Sequence, residues 1–318
     1  MRRLSRPAIS TSGQQALEQH TAYLQLEVDT SASTVRNYLS DLRQFIAWCE
    51  TTWASGQEQT RSFTPAAITT LLLTRYRTYV QHTLQLKPAS VNRALVSLKR
   101  YAAWATEHGL ITRNPARAVK LIPMEATAPR HLDDDDEDAL VSAVMTIGSL
   151  RDRTIILLML HTGLRAREVC TLQRSNVVVG KRSGLLKVYG KRNKYREVPL
   201  NTTARKALAD YLADLPAERV YLFPSEKTHQ ALTERALGHL VKKYAALAKL
   251  RQVSPHDLRH RFGYRMAESV PLHRLAQIMG HDSLDTTLIY VRPGHNYLLE
   301  YRDVFPTWSF RVTVFVAY

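Results

Sequence analysis

From Gln14 to His108 the apolar residues of this chain recur every three or four positions, a period that suits helices and not strands. The stripes are Ala16, Leu17, Tyr23, Leu24; then Val35, Leu39, Leu42, Phe45, Ile46; then Ile68, Leu71, Leu72, Tyr76, Tyr79; and finally Val91, Leu95, Leu98, Ala102. Start signals separate them. Ser33 precedes the second stripe, Thr64 with Pro65 opens the third, and Pro88 with Ser90 opens the fourth, which stops at Gly109. A four-helix domain is expected over residues 13–109, behind a flexible N-terminus of residues 1–12.

Residues 110–131 carry Pro115, Pro123 and Pro129 among cations and read as an extended, basic linker. A second domain is expected over 132–318. Its acidic run, Asp133 to Asp138, suits the positive end of a helix dipole better than a metal cluster. Ile155 to Leu160 is a buried helix broken at Thr162-Gly163, with a new helix from Leu164. The period then changes. Leu185 to Tyr189 and Tyr195 to Leu200 read as a β-hairpin with a basic tip at Gly190, Lys191, Arg192 and Asn193. Helical patterns return over Thr202–Leu215, Ala231–Leu250, Pro255–Ser269 and Pro271–Met279. The fold class is mainly α with a small β-hairpin or sheet.

Charge restricts the partner. The chain has 44 Lys+Arg against 28 Asp+Glu, a net of +16, and residues 1–130 hold 16 of those cations and 8 of the acids. The excess is thus shared evenly between the halves, unlike a protein with one basic tail. Two basic domains on a basic linker suit a clamp around a polyanion such as a DNA duplex. At 45% hydrophobic residues the chain can bury cores, which excludes a disordered polyelectrolyte. The basic start MRRLSRPAISTSGQQ leads into no apolar run, and the longest apolar run, Ile155 to Leu160, is far too short to span a bilayer. A cytoplasmic protein without a membrane partner is expected. Cys49 and Cys170 lie in periodic apolar patterns and read as reduced core thiols.

Four segments of the second domain carry chemistry: Thr162-Gly163-Leu164-Arg165-Ala166-Arg167-Glu168, Gly190-Lys191-Arg192-Asn193-Lys194, His256-Asp257-Leu258-Arg259-His260, and Gly280-His281-Asp282-Ser283 leading to Tyr290. In that order they resemble the tyrosine recombinase (phage integrase) family, most closely its Xer-like members. The resemblance extends over nearly the whole chain, since the four helices and linker look like that family's core-binding, SAM-like domain ahead of an α+β catalytic domain. It implies that Arg165, Lys191, His256, Arg259 and His281 surround a scissile phosphate and that Tyr290 is the nucleophile.

The chemistry agrees with these residue types. Transesterification at a phosphodiester builds charge on non-bridging oxygens, which guanidinium groups such as Arg165 and Arg259 meet with paired hydrogen bonds. His256 and Arg259, three apart at a helix start capped by Ser254 and Asp257, share a face. A phenol ionises near pH 10, so its proton needs an acceptor. The resemblance suggests His256, and imidazole titrates in the right range. Lys191 would protonate the leaving 5′ oxygen, with Lys194 its runner-up. His281 would hydrogen-bond the phosphate, Glu168 would orient Arg165, and His260 reads as structural. A phosphotyrosyl bond conserves the energy of the broken linkage, so neither a metal nor another cofactor is expected.

The leading function is site-specific DNA recombination on double-stranded sites, by a homo-tetramer in the synaptic complex, with accessory proteins left open. A type IB topoisomerase, a non-catalytic DNA-binding protein and a metal-dependent nuclease are the alternatives. Polar helix faces nominate Ser33, Arg36, Asn37, Asn92, Arg93, Lys99 and Arg100 as groove or phosphate contacts. Two places depart from the family's pattern. Arg261-Phe262-Gly263-Tyr264 stands where small or hydroxylated residues are more usual, and Trp308 to Tyr318 alternates like a β-strand.

Overall fold

The computed structural model describes residues 7–26, 30–54, 62–124, 132–190 and 195–291, and the chain divides at Ala126 into two compact units. The first holds α1 (Thr11–Leu26), α2 (Ala32–Ala54), α3 (Thr70–Thr78) and α4 (Pro88–Glu107). Their apolar stripes meet in one core around Phe45, Phe63, Tyr76, Leu95 and Tyr101.

Local chemistry shifts several expected starts. Ser31, rather than Ser33, caps α2, accepting from the Thr34 amide at 3.2 Å. Thr64 and Pro65 open a short 3-10 turn, Pro65–Ala67. The helix proper begins after Thr69, whose hydroxyl accepts from the Leu72 amide, and it runs on into a π-helical turn, Tyr79–Thr83. Residues 7–12 belong to the unit. Ser10 caps α1 at Gly13 and its own amide donates to Glu50, and Ile9 packs on the core.

The expected linker is also different over its described part. Ile111, Ala116 and Val119 are buried in the first core. Thr70 donates to Pro115 O and Lys99 to Ala116 O, while Asn92 makes two 2.8 Å bonds to the Ile122 backbone. Prolines stop helix formation in 110–124, but apolar residues between them still find a core to enter.

The second unit holds α5 (Asp134–Ile147), α6 (Leu150–Thr162), α7 (Ala166–Thr171), β1 (Val177–Val179), β2 (Gly184–Tyr189), β3 (Tyr195–Pro199), α8 (Thr202–Asp214), α9 (Glu234–Leu247), α10 (Pro255–Ala267), α11 (Leu272–Met279) and α12 (Asp285–Leu288). The antiparallel sheet has the order β1, β2, β3, with Val178 opposite Leu185 and Leu186 opposite Val198. β1 carries no alternation that would mark it in the sequence, since it consists of three valines. The Gly180 amide donates to Ser183 O and closes its turn.

α6, apolar on every face from Ile155 to Leu160, packs against α5, α8 and α10 and carries the core of this unit. Asp133 caps α5 by accepting from the Asp136 amide at 2.8 Å. Cys49 and Cys170 are free and buried. Among the described residues no helix is long and apolar enough to cross a membrane.

Candidate active site

The site is organised on the last turn of α11. Gly280, in the left-handed region at φ 66°, ends that helix and leaves its final carbonyls without intrahelical partners. Three guanidinium groups from three other elements take them. Arg196 of β3 donates from Nε to Ile278 O at 2.9 Å, Arg259 of α10 from Nη2 to Met279 O at 2.9 Å, and Arg165, the cap of α7, to Gly280 O. The negative end of the helix dipole favours this gathering of cations.

Glu168 keeps the cluster from flying apart. Its carboxylate accepts from Arg196 Nη1 and Nη2, both at 2.8 Å, from the Arg165 amide at 2.8 Å and from Arg165 Nη1 at 3.1 Å. Burial alone would raise its pKa, but these donors prevail and hold it below the usual carboxylate range. The trio carries one net positive charge. Arg165 carries it outward, since its side chain is 43% exposed against 13% for Arg196.

Arg259 is buried, and a second bond runs from its Nη1 to Gly163 O at 2.6 Å. Its Nη2 also lies 2.8 Å from His281 Nε2, and His281 Nδ1 lies 2.8 Å from Thr287 Oγ1. A guanidinium can only donate, so Nε2 accepts and the ring carries its proton on Nδ1, which donates to Thr287. Burial and then Arg259 push the His281 pKa down to about 4, which keeps the ring neutral.

Tyr290 is almost fully buried against α10. Its hydroxyl lies 3.1 Å from His260 Nδ1, and its ring meets Tyr264 edge to face and His281 nearly parallel at 6.2 Å. A Cβ on Gly263 would come within 2.5 Å of Tyr290 Cζ, so only glycine leaves room for the ring there. Burial pushes the phenol up to about 12. His256 meets His260 edge to face at 4.2 Å between ring centres. Burial and then Arg259 lower the pKa of His256, and burial and then His256 push that of His260 down to about 4.

The other expected residues fare unevenly. Lys191 and Lys194 lie outside the described residues. In the first unit Ser33, Arg36 and Asn37 are exposed. Asn92 and Lys99 are engaged by carbonyls as described above, Arg93 pairs with the buried Asp41 at 2.8 Å, and Arg100 rests over the Tyr38 ring. The sequence signals single out neither Arg196 nor Thr287, and His260, which reads as structural there, lies at the Tyr290 hydroxyl. Arg196 had one signal, its place on the strand leaving the basic tip, but alternation alone does not say which face meets the site.

The Arg261-Phe262-Gly263-Tyr264 segment is explained by packing. Arg261 is buried and pairs with Glu137 at 2.6 Å and with Asp134, so the acidic run caps α5 and also neutralises an arginine of α10. Phe262 lies where a Cβ on Gly163 would clash. Among the described residues no group of three or more His, Cys, Asp or Glu is placed to hold a metal ion.

Known proteins share this architecture. Residues 130–296 match the profile described as "Phage integrase family", and residues 17–109 match "Phage integrase, N-terminal SAM-like domain". The "Tyrosine recombinase XerC" of Xanthomonas campestris pv. campestris (strain B100) is 31% identical over 292 residues, spanning 91% of this chain and 87% of that protein. The protein of the same name from Thermodesulfovibrio yellowstonii (strain ATCC 51303 / DSM 11347 / YP87) is 29% identical, spanning 88% and 92%.

Solved structures share the fold at lower identity. XerH site-specific recombinase bound to difH substrate, a pre-cleavage complex, superposes with a TM-score of 0.69 at 18% identity, covering 95% of this chain and 99% of that one. A lambda integrase dimer bound to a COC′ core site gives 0.66 at 17%, covering 91% and 79%. With both domain profiles matched in order over a helical unit and a unit that gathers arginines beside a buried tyrosine, the chain belongs to the tyrosine recombinase (phage integrase) family.

Proposed function

We propose that this recombinase cuts each strand of a double-stranded DNA site through a covalent 3′-phosphotyrosine on Tyr290 and rejoins it to a partner strand. The observation that carries the reading is the convergence of Arg165, Arg259 and His281 on the last turn of α11, with Tyr290 stacked against His281. Arg165 and Arg259 bind the non-bridging oxygens of the scissile phosphate. Removing one such preorganised donor costs on the order of a hundredfold in rate.

The phenol oxygen bonds to phosphorus as the 5′ oxygen leaves. Lys191 gives that oxygen its proton, with Lys194 the runner-up for that role, and an imidazole of the His256–His260 segment takes the proton of the phenol. His281 hydrogen-bonds the phosphate through Nε2 once that atom is released from Arg259 and carries the ring's proton. Glu168 positions Arg165. Neither a metal nor ATP enters the balance, because the phosphotyrosyl bond keeps the energy needed for rejoining.

Ser33, Arg36, Asn37, Arg93, Lys99 and Arg100 face phosphates or a groove from the first unit, and Asn92 acts there by holding the Ile122 backbone. The enzyme works in the cytoplasm as a homo-tetramer on two sites. The test is a nicked suicide duplex run on a denaturing gel. Wild type is expected to form a covalent adduct that Tyr290→Phe abolishes. Absence of the adduct with wild type, or its persistence in the variant, overturns the reading.

A further inference from the structure

We propose that His260, and not His256, is the proton acceptor of the nucleophile, because its Nδ1 is the atom that meets the Tyr290 hydroxyl, 3.1 Å away and buried. The inference rests on the assignment of Tyr290 as nucleophile and adds a residue to its machinery. His256, His260 and Gly263 are spaced four and three apart on α10, so one face of that helix carries them in a row. Gly263 provides the space for the Tyr290 ring, His260 meets its oxygen, and His256 stands edge-on to His260 one turn nearer the N-terminus of α10.

The hydrogen bond has a direction. A phenol near neutral pH is protonated, and a neutral imidazole has one nitrogen free to accept. With the His260 proton on Nε2, as the proposal requires, the Tyr290 O–H donates to Nδ1 and the oxygen's lone pairs are left for phosphorus. The groups that face this ring are His256, Asp257 and Arg259 from its own helix, with Tyr290 and His281 from beyond α11. Burial first, and then His256 and Arg259, push the His260 pKa down to about 4, so the acceptor nitrogen is available at the pH of reaction.

As the phenol oxygen bonds to phosphorus, its O–H bond breaks and the proton passes to Nδ1. The bond from phosphorus to the 5′ oxygen breaks with its electron pair on that oxygen, which takes a proton from Lys191. The imidazolium formed lies beside the charge gathering on the phosphate oxygens, and this offsets the surroundings that disfavour it in the free enzyme. In rejoining, each proton returns the way it came.

The test is the single-turnover rate of adduct formation on the suicide duplex for wild type, His260→Phe, His260→Asn and His256→Asn, with duplex binding measured by gel shift. Proton acceptance predicts that both His260 variants bind DNA as wild type does but form adduct about a hundredfold more slowly. Their rates should rise tenfold per pH unit through the range where wild type is flat. A substrate with sulfur in place of the 5′ bridging oxygen should not rescue them, since it relieves only the leaving group. A wild-type rate in His260→Phe, or restoration of the rate by the non-basic acceptor in His260→Asn, would overturn the proposal. So would a larger loss in His256→Asn accompanied by the hydroxide-like pH dependence. A wild-type enzyme that forms no adduct, or a Tyr290→Phe that does, would instead sink the nucleophile assignment.

Discussion

Arg196 and Glu168 close a two-bond fork, Nη1 to Oε1 and Nη2 to Oε2, each at 2.8 Å. The relationship decides what Arg165 can do. With its charge balanced by Arg196, Glu168 orients Arg165 without neutralising it, and the exposed guanidinium keeps its charge for the phosphate it is proposed to bind.

Arg196→Ala should leave Glu168 to pair with Arg165 alone. Breaking a buried pair from one side costs about 3 kcal/mol or more, to be read from urea unfolding. Adduct formation should fall at least tenfold while duplex affinity changes little. Arg196→Lys keeps the charge but not the fork, and should recover part of the stability and less of the rate.

Thr287→Val should release the His281 ring. Thr287 is fully buried and accepts the Nδ1 proton of His281, so the variant strands that donor at a cost of about 1–3 kcal/mol. In wild type, nitrogen NMR of the labelled histidines is expected to show the Nδ1–H tautomer for the resonance that His281→Gln removes. An Nε2–H signal would contradict the hydrogen bond drawn from Arg259.

Gly263→Ala places a methyl group 2.5 Å from Tyr290 Cζ. Overpacking of this kind costs about 1–3 kcal/mol. The expected results are a lower melting temperature and a lower adduct yield at unchanged duplex affinity, because the displaced atom belongs to the ring of the proposed nucleophile.

His20→Phe should flatten the acid sensitivity of the first unit. His20 is buried among Tyr23, Tyr101 and Trp104, and burial, with Arg100 adding to it, pushes its pKa from 6.5 down to about 4. Between those values the unfolded chain binds the proton and the folded one does not. The stability is therefore complete above pH 6.5 and is lost as pH falls toward 4, by roughly 3 kcal/mol. Tryptophan fluorescence during urea unfolding at pH 7 and pH 5 checks it, since Trp48, Trp53 and Trp104 all lie in that unit.

Duplex affinity should fall steeply with salt, with a log–log slope of about −0.9 for each phosphate neutralised. Several of the first unit's cations are engaged by Asp41 or by carbonyls, so the slope should be well below what +16 would allow. Asp41→Asn, which frees Arg93, is expected to steepen it.

The sequence by itself determined the helices of the first unit, because a period of 3.6 residues is written locally in the stripes through Leu42, Tyr76 and Leu95. It also determined which elements carry Arg165, Glu168, Arg259, His281 and Tyr290, since those motifs keep their order and spacing. Tertiary structure decided what each of them touches. That Arg196 shares Glu168, that Ile278, Met279 and Gly280 collect three guanidiniums, and that His260 rather than His256 meets the phenol are contacts between residues 20 to 115 positions apart. Capping and linker readings slipped for the same reason. Ser33 and Ser31 are equally good caps by type, and the prolines of 110–124 specify no helix without saying where Ile111 and Val119 are buried. Periodicity records the direction in which one element presents its side chains. Which partner waits there is settled only when cores close and unpaired carbonyls, carboxylates and imidazoles must find donors within about 3 Å.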